Sequence, residues 1–193
     1  MDIRSSKCSY YFRKAKEYMD TTIENARPSD ARGIQTVFYK TWLDTYPNEQ
    51  YGITRDDVED RYKEAFTTRL VKRENQIQNL PPNHRFFVAR DRGSVTGVCH
   101  AIVHNDRNEL QAIYVLPEYQ GKGIGKMLWE RALNFFDPRK DIYVKVAVYN
   151  QKAIGFYKRF GFQETGKTFS DERFRMKSGA LIPELELVFS RSI

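Results

Sequence analysis

The spacing of apolar residues changes several times along the chain, and each change marks an element. TTIENAR, at 21–27, reads as a short strand, and Pro28-Ser29-Asp30 then marks a helix start. Ile34, Val37, Phe38, Thr41 and Trp42 follow at helical spacing, so a first helix runs to Tyr46-Pro47. Pro47 and Gly52 punctuate a loop, and Thr54 with Asp57 forms an N-cap pair that opens a second helix. Val58, Tyr62, Ala65, Phe66 and Leu70 are its stripe, and Leu80-Pro81-Pro82 breaks the pattern. From His84 the period shortens to two. HRFFVAR, a turn at Asp91-Arg92-Gly93, SVTGVCHAIV, a polar turn over 104–108 and ELQAIYVL predict three antiparallel strands, stopped by Pro117. A helix is predicted from about 123 to 136, a strand over 141–149, and a short helix QKAIGFYKRF capped by Asn150 and ended by Gly161. Two more strands, near 163–169 and 184–189, close the chain. The order predicts a mixed α/β (α+β) fold, a central sheet with helices on both faces.

At 193 residues the chain holds one domain with a single sizeable core. Residues 1–20 are basic and aromatic, with Tyr11, Ala15, Tyr18 and Met19 near helical spacing, and read as an appended helix or arm before a single domain over 21–193. A hydrophobic share of 40% with 14% aromatic residues separates the chain from disordered ones. No apolar run approaches the ~18 residues of a membrane span, and the N-terminus lacks a signal peptide's apolar core. The expectation is a cytoplasmic protein with no membrane partner. Cys99 sits in an apolar strand and reads as a buried free thiol, unpaired with distant Cys8. His84, His100 and His104 form no recognisable ligand set: the i, i+4 pair His100 and His104 would suit zinc on a helix, but falls in a β-pattern. No metal is expected. A net charge of +7 draws anions, whether nucleic acid, acidic lipid or a phosphorylated cofactor. The cations are scattered and no nucleic-acid recognition motif accompanies them, so charge does not choose the partner.

Candidate chemistry concentrates in Ile113-Tyr114-Val115-Leu116-Pro117-Glu118-Tyr119-Gln120-Gly121-Lys122-Gly123-Ile124-Gly125-Lys126. A strand runs into a glycine-rich turn that opens a helix. Backbone N–H groups at such a helix start lack intrahelical partners and share the dipole's positive end, which makes an anion site. Gly121, Gly123 and Gly125 let a diphosphate approach the backbone, and Lys122 and Lys126 add charge. An ordinary strand-to-helix turn is the other reading of this segment alone. Further on stands Asn150-Gln151-Lys152-Ala153-Ile154-Gly155-Phe156-Tyr157-Lys158-Arg159-Phe160-Gly161-Phe162.

Together these stretches resemble the GNAT superfamily of N-acetyltransferases, with a likeness to its bacterial spermidine/spermine acetyltransferase group in TWLDTYP. The family pairs Gln/Arg-x-x-Gly-x-Gly/Ala with Asn-x-x-Ala-x-x-Phe/Leu-Tyr-x-x-x-Gly-Phe. Here the first is Gln120-Gly121-Lys122-Gly123-Ile124-Gly125, and the second matches at Asn150, Ala153, Phe156, Tyr157, Gly161 and Phe162. The resemblance spans about 22–190. It implies the GNAT fold, with a mostly antiparallel, twisted sheet of about six to seven strands and a bulged, splayed cofactor strand. It further implies a single N-acetyltransferase domain over 21–193 that moves an acetyl group from acetyl-CoA to a primary amine by direct attack. A non-catalytic CoA-binding regulatory module is the alternative.

By that resemblance the amides of 120–125 hold the CoA diphosphate, and the backbone of Ile113, Tyr114 and Val115 pairs with pantetheine in a gap opposite 144–148. A strand N–H near Tyr114 or Val115 serves the oxyanion. Asn150 touches the pantetheine arm or caps its helix, and Ala153 lies alongside. Tyr157 protonates the departing thiolate, or else is a tyrosine packed under the sheet. Glu109, where many family members carry a base, suits that role or that of a solvated strand-end charge; Gln111 shares its face and cannot serve. The acceptor side carries Trp42, Tyr46 and Tyr51, with Asp44, Glu49, Asp56 and Asp57 nearby to draw a polycation. Trp42 equally suits the core. Polyamine, protein amine and other small amines stay open, as does a homodimer.

Overall fold

Where the sequence alternates, the chain pairs. A computed structural model describes residues 21–191, so the helix or arm expected over 1–20, and Cys8 within it, lie outside the described residues. Strands β1 (Thr22–Asn25), β2 (His84–Asp91), β3 (Ser94–Val103), β4 (Asn108–Val115), β5 (Ile142–Ala147), β6 (Gln163–Ser170) and β7 (Pro183–Phe189) form one seven-stranded sheet ordered β1-β2-β3-β4-β5-β7-β6. Every neighbouring pair is antiparallel except β4 and β5. This is the mixed, mostly antiparallel sheet that the element order and the resemblance imply.

Helices cover both faces. On one, α4 (Ile124–Leu133) and α5 (Gln151–Arg159) bury Leu128, Trp129, Ala132, Ile154 and Tyr157 against Phe87, Cys99, Leu110, Ile142 and Val144. On the other, α1 (Ala31–Thr45) and α3 (Thr68–Gln78) bring Ile34, Val37 and Ile77 onto Phe86, Val88 and Val98. Strand β2 is covered on both sides, which is why Phe86-Phe87-Val88-Ala89 is continuously apolar. The indole of Trp129 ties α4 to the far strands, with the rings of Phe160, Phe162 and Phe189 at 6.0, 5.2 and 5.7 Å. Such pairs add about 0.5–1.5 kcal/mol each beyond their burial. Cys99 is fully buried, as expected, and is a free thiol among the described residues.

Two boundaries differ from expectation. The single second helix is two: α2 (Arg55–Tyr62) opens on the Thr54–Asp57 capping box and stops before α3. Ala65 turns fully inward, where Gln35 Nε2 donates to its carbonyl at 3.2 Å, and Thr67 leaves the helical region at φ −122, ψ −107. Phe66, expected on the apolar stripe, is instead 37% exposed. The helix predicted to reach Phe136 ends at Leu133. Buried Asn108 intervenes: its side-chain amide donates to the carbonyls of Asp137 (2.9 Å) and Lys140 (2.7 Å) and accepts from Asp137 N–H (3.1 Å). It draws the segment after α4 across to the start of β4.

Candidate active site

The parallel pair β4–β5 is joined only at Asn108↔Ile142 and Glu109↔Tyr143, beside the Asn108 pin. Beyond that, Gln111 is an extra residue in β4, between the pairs Leu110↔Ala101 and Ala112↔His100. The bulge bends β4, while β5 stays zipped to β7 along its length, so the two strands diverge. The cofactor-strand bulge and splay implied by the resemblance are both present. The result is a cleft of about 510 Å³ that runs through the sheet. Ile113, Tyr114 and Val115 line one wall and Val144, Lys145 and Val146 the other. From 110 to 115 the side of β4 facing β5 has no strand partner, and its backbone groups can accept an extended, amide-bearing chain.

At the mouth lies the glycine-rich turn. Gly121 (φ 74) and Gly123 (φ 83) are left-handed, a region that L side chains enter at a cost. The backbone N–H groups of residues 121 to 126 have no acceptor among the described residues. Gly121, Gly123, Ile124, Gly125 and Lys126 all line the cleft. An anion fits here, since the free amides and the start of α4 present partial positive charge. Gly125 has a second reason to be glycine: a Cβ would come within 3.0 Å of the Phe156 ring. It lets α4 and α5 pack closely. Gln120 turns back, donating to the Val115 carbonyl at 3.0 Å and accepting from Lys152, so its side chain braces the turn. Lys122 lies over the Tyr119 ring at 4.8 Å, and Lys126 pairs with Glu130 at 2.9 Å.

The second motif brings its residues to the same cleft. Asn150 Oδ1 accepts from Ala153 N–H at 3.0 Å, capping α5, and both residues line the cleft. Tyr157 stands one turn further on, 6% exposed, its ring flanked by Phe156 and Phe162. Burial, then neighbouring Tyr114 and Cys99, push its pKa well above that of an ordinary phenol. It stays protonated at any physiological pH.

Glu109 sits at the closed end of the splay, outside the cleft lining, with its carboxylate 2.7 Å from His104 Nε2. On the face covered by α1, His100 is buried against Phe86 with ring centroids 4.0 Å apart. Burial first, then His84 and Arg73, hold its pKa down to about 3. Among the described residues no group of His, Cys, Asp and Glu is arranged to hold a metal ion.

Of the three aromatics expected on the acceptor side, Tyr46 lines the cleft, its hydroxyl 3.0 Å from that of Tyr114. Trp42 is 7% exposed, stacks on Tyr46 at 4.2 Å and stands outside the lining, in the small core of α1, α2 and β5. Tyr51 also stays outside and stacks on Tyr149 at 5.1 Å. Asp57 is committed to structure: burial opposes its charge, but hydrogen bonds from Thr54 and Ser178 hold its pKa down to about 2. Sequence reading passed over Asn108, Lys145, Lys152 and Glu184. Glu184 pairs in register with Ala147 on β5, and burial raises its pKa against the pull of Lys145. Its alternation on β7 is visible in sequence, but the neighbouring strand is not.

A sequence model of the Acetyltransferase (GNAT) family matches residues 38–162. A probable N-acetyltransferase of Mycobacterium tuberculosis is 28% identical over 180 residues, covering 88% of this chain and 94% of the relative. Among solved structures, the PaiA N-acetyltransferase of Thermoplasma acidophilum in complex with coenzyme A superposes with a TM-score of 0.62 at 21% identity, over 85% of this chain and 97% of that one. A putative acetyltransferase of Salmonella typhimurium with acetyl-CoA gives 0.60 at 20% identity, over 90% and 95%. The chain belongs to the Acetyltransferase (GNAT) family and is an acyltransferase.

Proposed function

We propose that this family member transfers the acetyl group of acetyl-CoA to a primary amine by direct attack in a ternary complex, in the cleft between β4 and β5. One observation carries the reading: a run of unpartnered amides, 121 to 126, at a helix start beside a strand whose cleft-facing edge is open. Free amides suit a diphosphate, and the open β4 edge suits the amide-rich pantetheine arm. Bound acetyl-CoA supplies an activated thioester. The remaining work falls to side chains and backbone of this chain.

A thiol with pKa near ~8.5 leaves more readily when it receives a proton, and a neutral phenol is a competent donor. Tyr157 is neutral, lines the cleft and fits that part. A backbone N–H near Tyr114 or Val115 would stabilise the oxyanion. The amine must attack uncharged. A lysine-like amine near ~10.4 costs about 4.6 kcal/mol to deprotonate at pH 7, and an α-amine near ~8 about 1.4. Glu109, oriented by His104, is our candidate base, acting through water since it stands outside the cleft lining. Tyr46, which lines the cleft on the α1 side, is our candidate contact for the acceptor.

The test is thiol release from acetyl-CoA by the purified chain against a panel of amines, with the acetylated product identified by mass. Amine-dependent release is expected. Tight uptake of CoA with no release for any amine would leave a binding module and sink the catalytic reading.

A further inference from the structure

Two tyrosine hydroxyls meet at the cleft. Tyr46 Oη, from the C-terminus of α1, and Tyr114 Oη, from β4, lie 3.0 Å apart, and both residues line the cleft. Their rings are held in place. Trp42 stacks on Tyr46 at 4.2 Å, and Phe38 meets Tyr114 edge-on at 5.2 Å. The Tyr149 hydroxyl donates to the Tyr46 carbonyl at 3.1 Å, which fixes the Tyr46 backbone and leaves its hydroxyl to Tyr114. Trp42 Nε1 is buried with no hydrogen bond among the described residues, and the Tyr114 hydroxyl is a polar group on which it acts. Burial keeps both phenols protonated, although Tyr46 and the Trp42 N–H pull on Tyr114 the other way.

The hydrogen-bonding capacity of this pair is not used up. Each hydroxyl has one proton and two lone pairs. Their mutual bond consumes one proton and one lone pair, and the Trp42 N–H takes at most one lone pair more. One O–H and at least two lone pairs remain, with no other side-chain partner among the described residues. Both residues line the cleft, so a molecule in it can meet the leftover donor and acceptor together. Tyr114 also stands near the reacting centre: after burial, it is the next influence that raises the pKa of Tyr157.

We infer that the Tyr46–Tyr114 hydroxyl pair selects an acceptor that carries an oxygen on the carbon next to the one bearing its amine. One hydroxyl oxygen accepts an amine N–H, the hydroxyls bond each other, and the remaining O–H donates to the acceptor's oxygen. The amine keeps its own lone pair for attack. A nitrogen and an oxygen on adjacent carbons lie roughly 3 Å apart when folded towards one another, which matches the 3.0 Å between the two hydroxyls. The inference rests on the proposed acetyl transfer and names its substrate class. A polyamine has no oxygen and leaves the O–H unmet.

Isosteric amines test this: 2-aminoethanol against n-propylamine for a hydroxyl oxygen, and glycinamide against isobutylamine for a carbonyl oxygen, with spermidine as the polyamine. Rates are taken over a range of pH and compared per neutral amine, which removes the difference in basicity. The oxygen-bearing member of at least one pair should show a kcat/KM about three- to tenfold higher, carried by KM. The two pairs tell hydroxyl from carbonyl. Tyr46→Phe and Tyr114→Phe should each bring that ratio close to one and leave the KM for acetyl-CoA unchanged. Because it is a ratio, any loss of folded protein cancels. Ratios near one for both pairs in the wild type, a ratio that survives both variants, or spermidine used better than either oxygen-bearing amine would overturn the selection. If the wild type turns over no amine at all, the proposed transfer fails instead. Calorimetry of 2-aminoethanol and glycinamide on the CoA-bound chain then decides the pair alone: uptake of either that is lost in Tyr46→Phe supports it, and uptake of neither by the wild type refutes it.

Discussion

Gly123 occupies the N-cap of α4 at φ 83, ψ −8. In that region a Cβ crowds the next carbonyl, at a cost of roughly 1–2 kcal/mol. A Cβ built at Gly123 meets no atom within 4 Å, so the cost of Gly123→Ala is confined to the backbone. The variant has two routes. It holds the turn and carries the strain, or it relaxes the turn and loses the alignment of its amides. In CoA-saturated protein both routes end alike, with the bound state brought closer to the unfolded one by about 1–2 kcal/mol. For a chain of 193 residues, the melting temperature in saturating CoA should fall by about 2–8 °C. Calorimetry of CoA binding separates the routes: an unchanged Kd means strain carried, and a Kd raised about 5–30-fold means relaxation. Gly155→Ala is the control. It adds the same methyl group inside α5, again with no atom within 4 Å and with no left-handed φ. Replacing a helical glycine should stabilise by about 0.5–1 kcal/mol and raise the melting temperature by roughly 1–4 °C. Wild-type melting in CoA and wild-type affinity for Gly123→Ala would refute the amide cradle.

Tyr157→Phe should lower kcat by about 10²-fold while CoA affinity survives, and unchanged turnover removes Tyr157 from the reaction. His100 has a folded pKa held to about 3 against ~6.5 when unfolded, so only the unfolded chain takes up its proton between those values. Its contribution is present above pH ~6.5 and is lost as pH falls, at about 1.4 kcal/mol per unit. Urea titrations at pH 7 and 5 should show this slope flattened in His100→Gln; equal slopes would refute it. Asp57, held to about 2 against ~3.9 unfolded, contributes stability above pH ~4 that is lost as pH falls towards 2. Asp57→Asn should cost about 1–3 kcal/mol at pH 7 and flatten the acid limb, with the two proteins converging near pH 2; a constant gap across that range argues otherwise.

The sequence by itself determined whatever depends on neighbours a few residues apart. The Thr54–Asp57 box, the Asn150 cap, the strands from His84 onward and the glycine-rich turn before α4 all arise from bonds or torsions within one turn or one pleat. They were legible because side-chain period and backbone preference act locally. The family motifs were legible for the same reason, being contiguous. Only tertiary structure decided the rest. Gln35 reaches across to the Ala65 carbonyl where the second helix breaks, and Asn108 anchors the turn after α4 while closing one end of the splay. Insertion of β7 between β5 and β6 brings Glu184 beside Ala147. The stack of Arg61 between Trp42 and Phe174 joins three segments that nothing in their spacing connects. Such contacts depend on which faces meet once the whole chain has buried its apolar surface, and that is a property of all the elements together.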